Sequence, residues 1–137
     1  MRQRERSRGA KHMKPVYQTK FGERSGNCLS ACLASLLEIP LEDIPDFGWH
    51  SDWYEKFTDF MKKFNLQPLD VDLENGGDWR PDGYYIVNGH SQRGIMHSVI
   101  YKGDTLVHDP YPDGVGVMPM SCTIFLVIDP AKCKEVA

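Results

Sequence analysis

The 137-residue chain has no apolar run approaching the roughly 20 residues that a membrane-spanning helix needs, which excludes a helical membrane protein. Its start, MRQRERSRGAKHM, sets no apolar stretch behind the basic residues and so does not read as a secretory signal; a cytoplasmic protein is the expectation. Cysteines are few, Cys28, Cys32, Cys122 and Cys133, and too irregularly spaced for a disulfide framework. Reduced thiols are expected, which favours a thiol enzyme or a metal site over a stapled scaffold. Internal repeats, low-complexity tracts and βαβ alternation are all missing, and neither Gly76-Gly77 nor Gly103 follows a phosphate-binding pattern. What is present, 41% hydrophobic and 26% charged residues, is the composition of one ordinary globular domain.

The formal charge of −3 hides an asymmetry. Residues 1–12 carry five basic side chains and one acidic, which leaves 11 basic and 18 acidic in residues 13–137, a charge of −7. Residues 1–12 read as a leader or a cloning-derived segment ahead of Met13, and residues 13–137 as a single domain. A basic arm for nucleic acid is the alternative reading of the leader, but an acidic body disfavours a phosphate backbone as the main ligand.

Past the leader, Pro15 to Gly26 lacks periodicity and reads as an extended segment running into a turn. Leu29, Cys32, Leu33, Leu36 and Leu37 then recur at three and four residues, with Ala31 and Ala34 slimming the cylinder. This predicts a buried central helix over Cys28–Glu38, capped by Asn27 and stopped by Pro40, with at most one further turn in LEDIPDF. A second helix follows Ser51 or Asp52, burying Trp53, Phe57, Phe60, Met61 and Phe64. Leu66–Leu73 reads as an edge strand because of Pro68, and ENGGDWRPDG as a loop. Tyr84–Val87, Ile95–Tyr101, Thr105–His108 and Thr123–Ile128 are short β-rich runs. Helices first and strands afterwards predict an α+β fold with a central N-terminal helix on a largely antiparallel sheet.

Cys28 opens the first helix, where unpaired backbone amides and the helix dipole favour an anion. A thiol placed there beside a protonated histidine ionises below its ordinary value. The alternative is a small apolar residue filling space. Lys102, Gly103 and Asp104 join two strand candidates, and a three-residue hairpin loop sets His97 directly opposite Asp109; a two-residue loop shifts the register by one. Residues directly opposite lie about 5 Å apart on one face, so the carboxylate holds the imidazole and selects its tautomer. Asp109-Pro110 ends its strand, which predicts that the pair lies at a sheet margin. Read singly, His97 is a core histidine and Asp109 a turn residue. Read together with Cys28, the three supply nucleophile, base and orienting group.

The run GNCLSACLASLL, with MHSVIY and VHDPYPDG downstream, resembles the papain-like cysteine peptidase fold, above all its small bacterial and phage branch similar to bacteriocin-processing peptidases. The likeness spans about residues 15–128 and rests on Cys, His and Asp in the family's chain order. It implies Cys28 as nucleophile, His97 as base, Asp109 as the orienting residue, and Gln18 as a donor to the oxyanion beside the Cys28 amide. Gln18 precedes Cys28 by ten residues, a longer gap than the family usually has, so FGERSG would be a looped insertion. The activity implied is hydrolysis of a peptide or amide bond in a peptide or protein substrate, a mechanism that requires no metal or organic cofactor; from composition and charge, neither a membrane nor a nucleic acid is expected as partner.

Other readings of the same residues stand beside this one. Cys28 and Cys32, one helical turn apart, could join His97 or His108 around zinc. A deamidase or transglutaminase could use the same trio, and a non-catalytic module could bind a peptide or host factor in the groove. Trp49, Trp53 and Trp79 could wall that groove, although aromatics in such places more often simply pack. Cys122 and Cys133 read as unremarkable thiols, His50 and His90 as loop residues, and His108 as pointing away from Asp109.

Overall fold

The computed structural model describes residues 13–22, 26–48, 51–75 and 79–133. Residues 1–12, Trp49, His50 and the Gly76-Gly77 pair lie outside these. Helix α1 spans Cys28–Leu37. It ends one residue before the expected Glu38, which takes the left-handed cap conformation (φ 58°) and donates its N–H to the Ala34 carbonyl. Helix α2 spans Trp53–Lys62 and buries Phe57, Phe60 and Met61, and the 3-10 turn Leu41–Asp43 fills the short piece between the two prolines. No described helix is long and apolar enough to cross a membrane.

Five strands form one sheet: β1 Leu66–Asp72, β2 Tyr84–Ser91, β3 Met96–Lys102, β4 Thr105–His108 and β5 Val117–Val127. Their order is β1-β5-β2-β3-β4 and every pairing is antiparallel. The fold is therefore α+β. The strand with Pro68 lies at an edge, as the sequence predicts. Leu33, Phe57, Phe60 and Met61 of the helices pack with Ile86 and Ile100 into the main core, while Tyr85, Val87, Val99 and Cys122 form a second cluster.

Two strands outrun their sequence signals. β2 continues four residues past Val87 through Asn88 and Gly89, and β5 begins at Val117 instead of Thr123. Both extensions pair with each other, Gly89 with Pro119 and His90 with Met118, so tertiary pairing overrides local turn propensity. His90 is thus a strand residue. The ladder shifts register between Asn88 and Gly89, which accommodates Pro119. Gly89 faces His97 across β2 and β3, and a methyl group on its Cα would stand 1.9 Å from the Met118 carbonyl oxygen. Gly89→Ala should therefore lower the melting temperature by an amount equivalent to about 1–3 kcal/mol. An unchanged melting curve would contradict this packing.

Candidate active site

Cys28 is the first residue of α1, and its chain approach is tied down by side chains. Asn27 does not cap the helix as expected. Its Oδ1 instead accepts the N–H groups of Thr19 and Lys20 at 3.0 and 2.9 Å, and its own N–H donates to the Lys20 carbonyl at 3.2 Å. These bonds close the loop from Lys20 to Asn27 at its neck. The capping side chain is lost to this purpose, and the first-turn amides of α1 stay without intrahelical partners.

The hairpin that delivers His97 and Asp109 has the shorter of the two loops that the sequence allows, followed by a bulge that the sequence does not signal. Lys102 pairs with Thr105 across the two-residue turn Gly103-Asp104, not across three residues. Val107 then bulges from the ladder, since Tyr101 pairs with Leu106 and Ile100 with His108. One step further, Asp109 falls beside Val99 and so lies diagonal to His97 instead of directly opposite. Without the bulge the two-residue turn would have put Asp109 on the other face, because side chains alternate at each step. The bulge restores the pair. His97 Nε2 donates to Asp109 Oδ1 at 2.6 Å, and the two side chains are only 2% and 1% exposed. The pair sits at the sheet margin as expected but is fully buried.

Asp109 is satisfied from three sides. The Tyr111 N–H donates to Oδ1 at 2.9 Å and the Gly116 N–H to Oδ2 at 2.8 Å, in addition to the imidazole. Burial disfavours the charged carboxylate and weakens the acid, but these bonds and the charge of His97 outweigh it, and the carboxyl ionises below the usual aspartate range. The Arg93 guanidinium lies 3.4 Å over the Tyr111 ring and pairs with Asp113, bracing the turn that holds Asp109. Gly116 has φ 88°, a conformation that favours glycine, and this lets its N–H reach the carboxylate.

With Nε2 committed to Asp109, the other ring nitrogen of His97 meets the half-buried thiol of Cys28. Burial raises the thiol, yet the hydrogen bond and charge of His97, with the bond from the Ser98 backbone, bring it below its ordinary value. Burial also disfavours charge on His97. The bonds to Asp109 and Cys28 prevail, and the imidazole is pushed up to about 9. A thiolate and an imidazolium are therefore each other's stabilising partner between the depressed Cys28 value and pH 9.

Cys32 behaves differently. It is fully buried, its Sγ donates to the Ser98 carbonyl at 3.5 Å, and burial pushes the thiol well above the ordinary range. A metal needs the thiolate, so this placement sets Cys32 apart from the zinc alternative. His108 is likewise engaged elsewhere, its Nε2 donating to the Val16 carbonyl at 2.7 Å. Among the described residues no group of three or more His, Cys, Asp or Glu is arranged around a common point for a metal ion.

Gln18 is brought to the same place. The segment before it is clamped by Val16 N–H to Ser35 Oγ and by Gln18 N–H to the Pro110 carbonyl. Gln18 is buried and lines a small cavity with Cys28, His97 and Tyr111. Its Nε2 donates one proton to the Lys20 carbonyl at 3.0 Å, which leaves the second for another acceptor. Its Oε1 is buried without a hydrogen-bond partner among the described residues. The bonds between Asn27 and the Thr19–Lys20 backbone hold Gln18 near Cys28 across the ten residues that separate them in sequence, and residues 23–25 of FGERSG lie outside the described set.

A larger cavity of about 350 Å³ also has Cys28 and His97 in its lining. Phe47, Trp53 and Phe57 supply its apolar wall. Trp53 thus fits the expected groove wall, whereas Trp79 is an exposed residue outside this cavity. Sequence reading missed Ser98, which touches the thiol, and Gly116, which holds Asp109. Ser98 adjoins His97 and could have been weighed; Gly116 carries no local signal, because its role exists only once the chain folds back. No protein-family model, curated protein or solved structure matches this chain.

Proposed function

We propose that the protein is a thiol-dependent hydrolase of a peptide or amide bond, with papain-like architecture. The observation that carries this reading is the Cys28–His97–Asp109 relay, with His97 and Asp109 buried and Cys28 lining a cavity large enough for a side chain. Cys28 thiolate attacks the carbonyl carbon and forms the C–S bond. His97 then gives its proton to the leaving nitrogen as the C–N bond breaks, and neutral His97 next takes a proton from the water that cleaves the thioester. Asp109 accepts from Nε2–H throughout, so once His97 has given up its other proton the neutral ring carries its lone pair on the nitrogen that faces Cys28 and the incoming water. The Cys28 N–H, with the spare Gln18 proton, faces the developing oxyanion.

The test is cleavage of a peptide library by the purified full chain, with Cys28→Ala as control. Cleavage by the wild type and none by the variant is the expected result. Cleavage that persists in Cys28→Ala, or a wild type that cleaves nothing while its Cys28 reacts no faster than an ordinary thiol, would overturn the proposal.

A further inference from the structure

The larger cavity has a floor with a definite hydrogen-bond polarity. Thr123 Oγ1 donates to Asp70 Oδ1 at 2.7 Å, Asn88 Nδ2 donates to Thr123 Oγ1 at 3.1 Å, and Ser98 Oγ donates to Asn88 Oδ1 at 2.8 Å. All four residues line the cavity, and Ser98 also touches the Cys28 thiol. A carboxylate accepts only, so Asp70 fixes the direction of every bond in this chain. Thr123 spends its one proton on Asp70 and must accept from Asn88. The Asn88 amide is thereby oriented with its oxygen toward Ser98, whose proton it takes.

The consequence is a wall of acceptors. Ser98 is left with lone pairs only, and Asp70 Oδ2 has no hydrogen-bond donor and no cation within 4 Å among the described residues. Ser121 accepts from Asn88 at 3.3 Å and is the one hydroxyl of the chain whose proton is not assigned. Asp46, the other carboxylate lining the cavity, is neutralised by Lys20 at 2.8 Å. The rings of Phe47, Trp53 and Phe57 line the same cavity. A guest that satisfies both walls has an apolar stem and a head rich in N–H donors.

Resting on the hydrolase reading, we infer that this cavity is the subsite for an arginine or lysine side chain of the substrate, with Asp70 as the residue that sets the preference. Its distance from the scissile bond is one or two residues, since the same cavity contains Cys28. Long basic side chains pair an aliphatic stem with a donor head, and the acidic body of the protein favours their approach.

The experiment uses peptidyl acyloxymethyl ketones carrying Arg, Lys, citrulline, Leu or Glu at either of the two positions nearest the reactive group. Rates of Cys28 labelling are read by intact mass, with iodoacetamide as a probe that needs no subsite. Arg or Lys probes should label about 5- to 10-fold faster than citrulline or Leu, the range expected for a partly exposed ion pair, and Glu slowest. Asp70→Asn should erase the advantage of Arg over citrulline, read as the ratio of the two rates within the variant so that any change common to all probes cancels. Asp70→Arg should shift the preference toward Glu. Equal rates for Arg, citrulline and Leu with rapid iodoacetamide labelling overturn the subsite but leave the hydrolase reading standing. Iodoacetamide labelling at the rate of an ordinary thiol overturns both.

Discussion

Cys28→Ser is expected to lower turnover by on the order of 10⁴-fold or more while the melting temperature stays at the wild-type value. Serine replaces one atom at the half-buried helix start, so packing is nearly conserved. Its hydroxyl, however, ionises far above a thiol, and the His97 imidazole does not hold it as an alkoxide. The histidine itself reports the change, since part of its elevation to about 9 comes from the bond and charge of Cys28. In Cys28→Ser the His97 value should fall, which proton chemical shifts measure directly. His97→Ala should lower turnover by about 10²- to 10⁴-fold. It should also cost stability, because Asp109 is left buried without its cationic partner. Full activity in either variant would remove the residue from the mechanism.

A graded loss is expected at Asp109. In Asp109→Ala the imidazole loses a charge-assisted bond worth about 1.5–3 kcal/mol, so turnover should fall by roughly 10- to 100-fold. The Tyr111 and Gly116 amides lose their acceptor as well, and the melting temperature should drop with them. Asp109→Asn keeps a carbonyl oxygen for Nε2–H and should lie between Ala and wild type. Removing the negative charge makes the imidazolium less stable, and a less stable imidazolium is a poorer partner for the thiolate. Alkylation of Cys28 should accordingly move to higher pH in Asp109→Ala. Asp104→Ala, at the exposed turn of the same hairpin, should leave both turnover and alkylation unchanged. An Asp104→Ala variant as impaired as Asp109→Ala would show that general loss of charge, not orientation of His97, is what was measured.

Much of this site was legible because its parts obey local rules. Helical spacing of Leu29, Cys32, Leu33 and Leu36 locates the start of α1 at Cys28, and Pro68 marks the edge strand. A three-residue loop would set His97 directly opposite Asp109, a register that the molecule does not use. A two-residue turn and a bulge at Val107 bring the same side chains together diagonally, and no residue near Val107 signals a bulge. Asn27 looked like a cap since Asn is a good one, but its side chain holds the Lys20 to Asn27 neck, a contact across eight residues that propensity does not encode. The extensions of β2 and β5 through Gly89 and Pro119 were hidden for a related reason. Glycine and proline read as breakers until a partner strand offers them a bulge.

The most direct measurement is the ionisation of Cys28 itself. Ultraviolet thiolate absorbance can be followed against pH in the wild type, with the Cys28→Ser profile subtracted to remove the other three cysteines. The Cys28–His97 pair predicts a thiolate that forms below the ordinary thiol value of about 8.5, together with a His97 ring that stays protonated until pH approaches 9. Turnover, which needs thiolate and imidazolium at once, should rise with the first step and fall with the second. A Cys28 that ionises at or above 8.5, with His97 titrating near 6.5, would contradict the ion pair and the mechanism built on it.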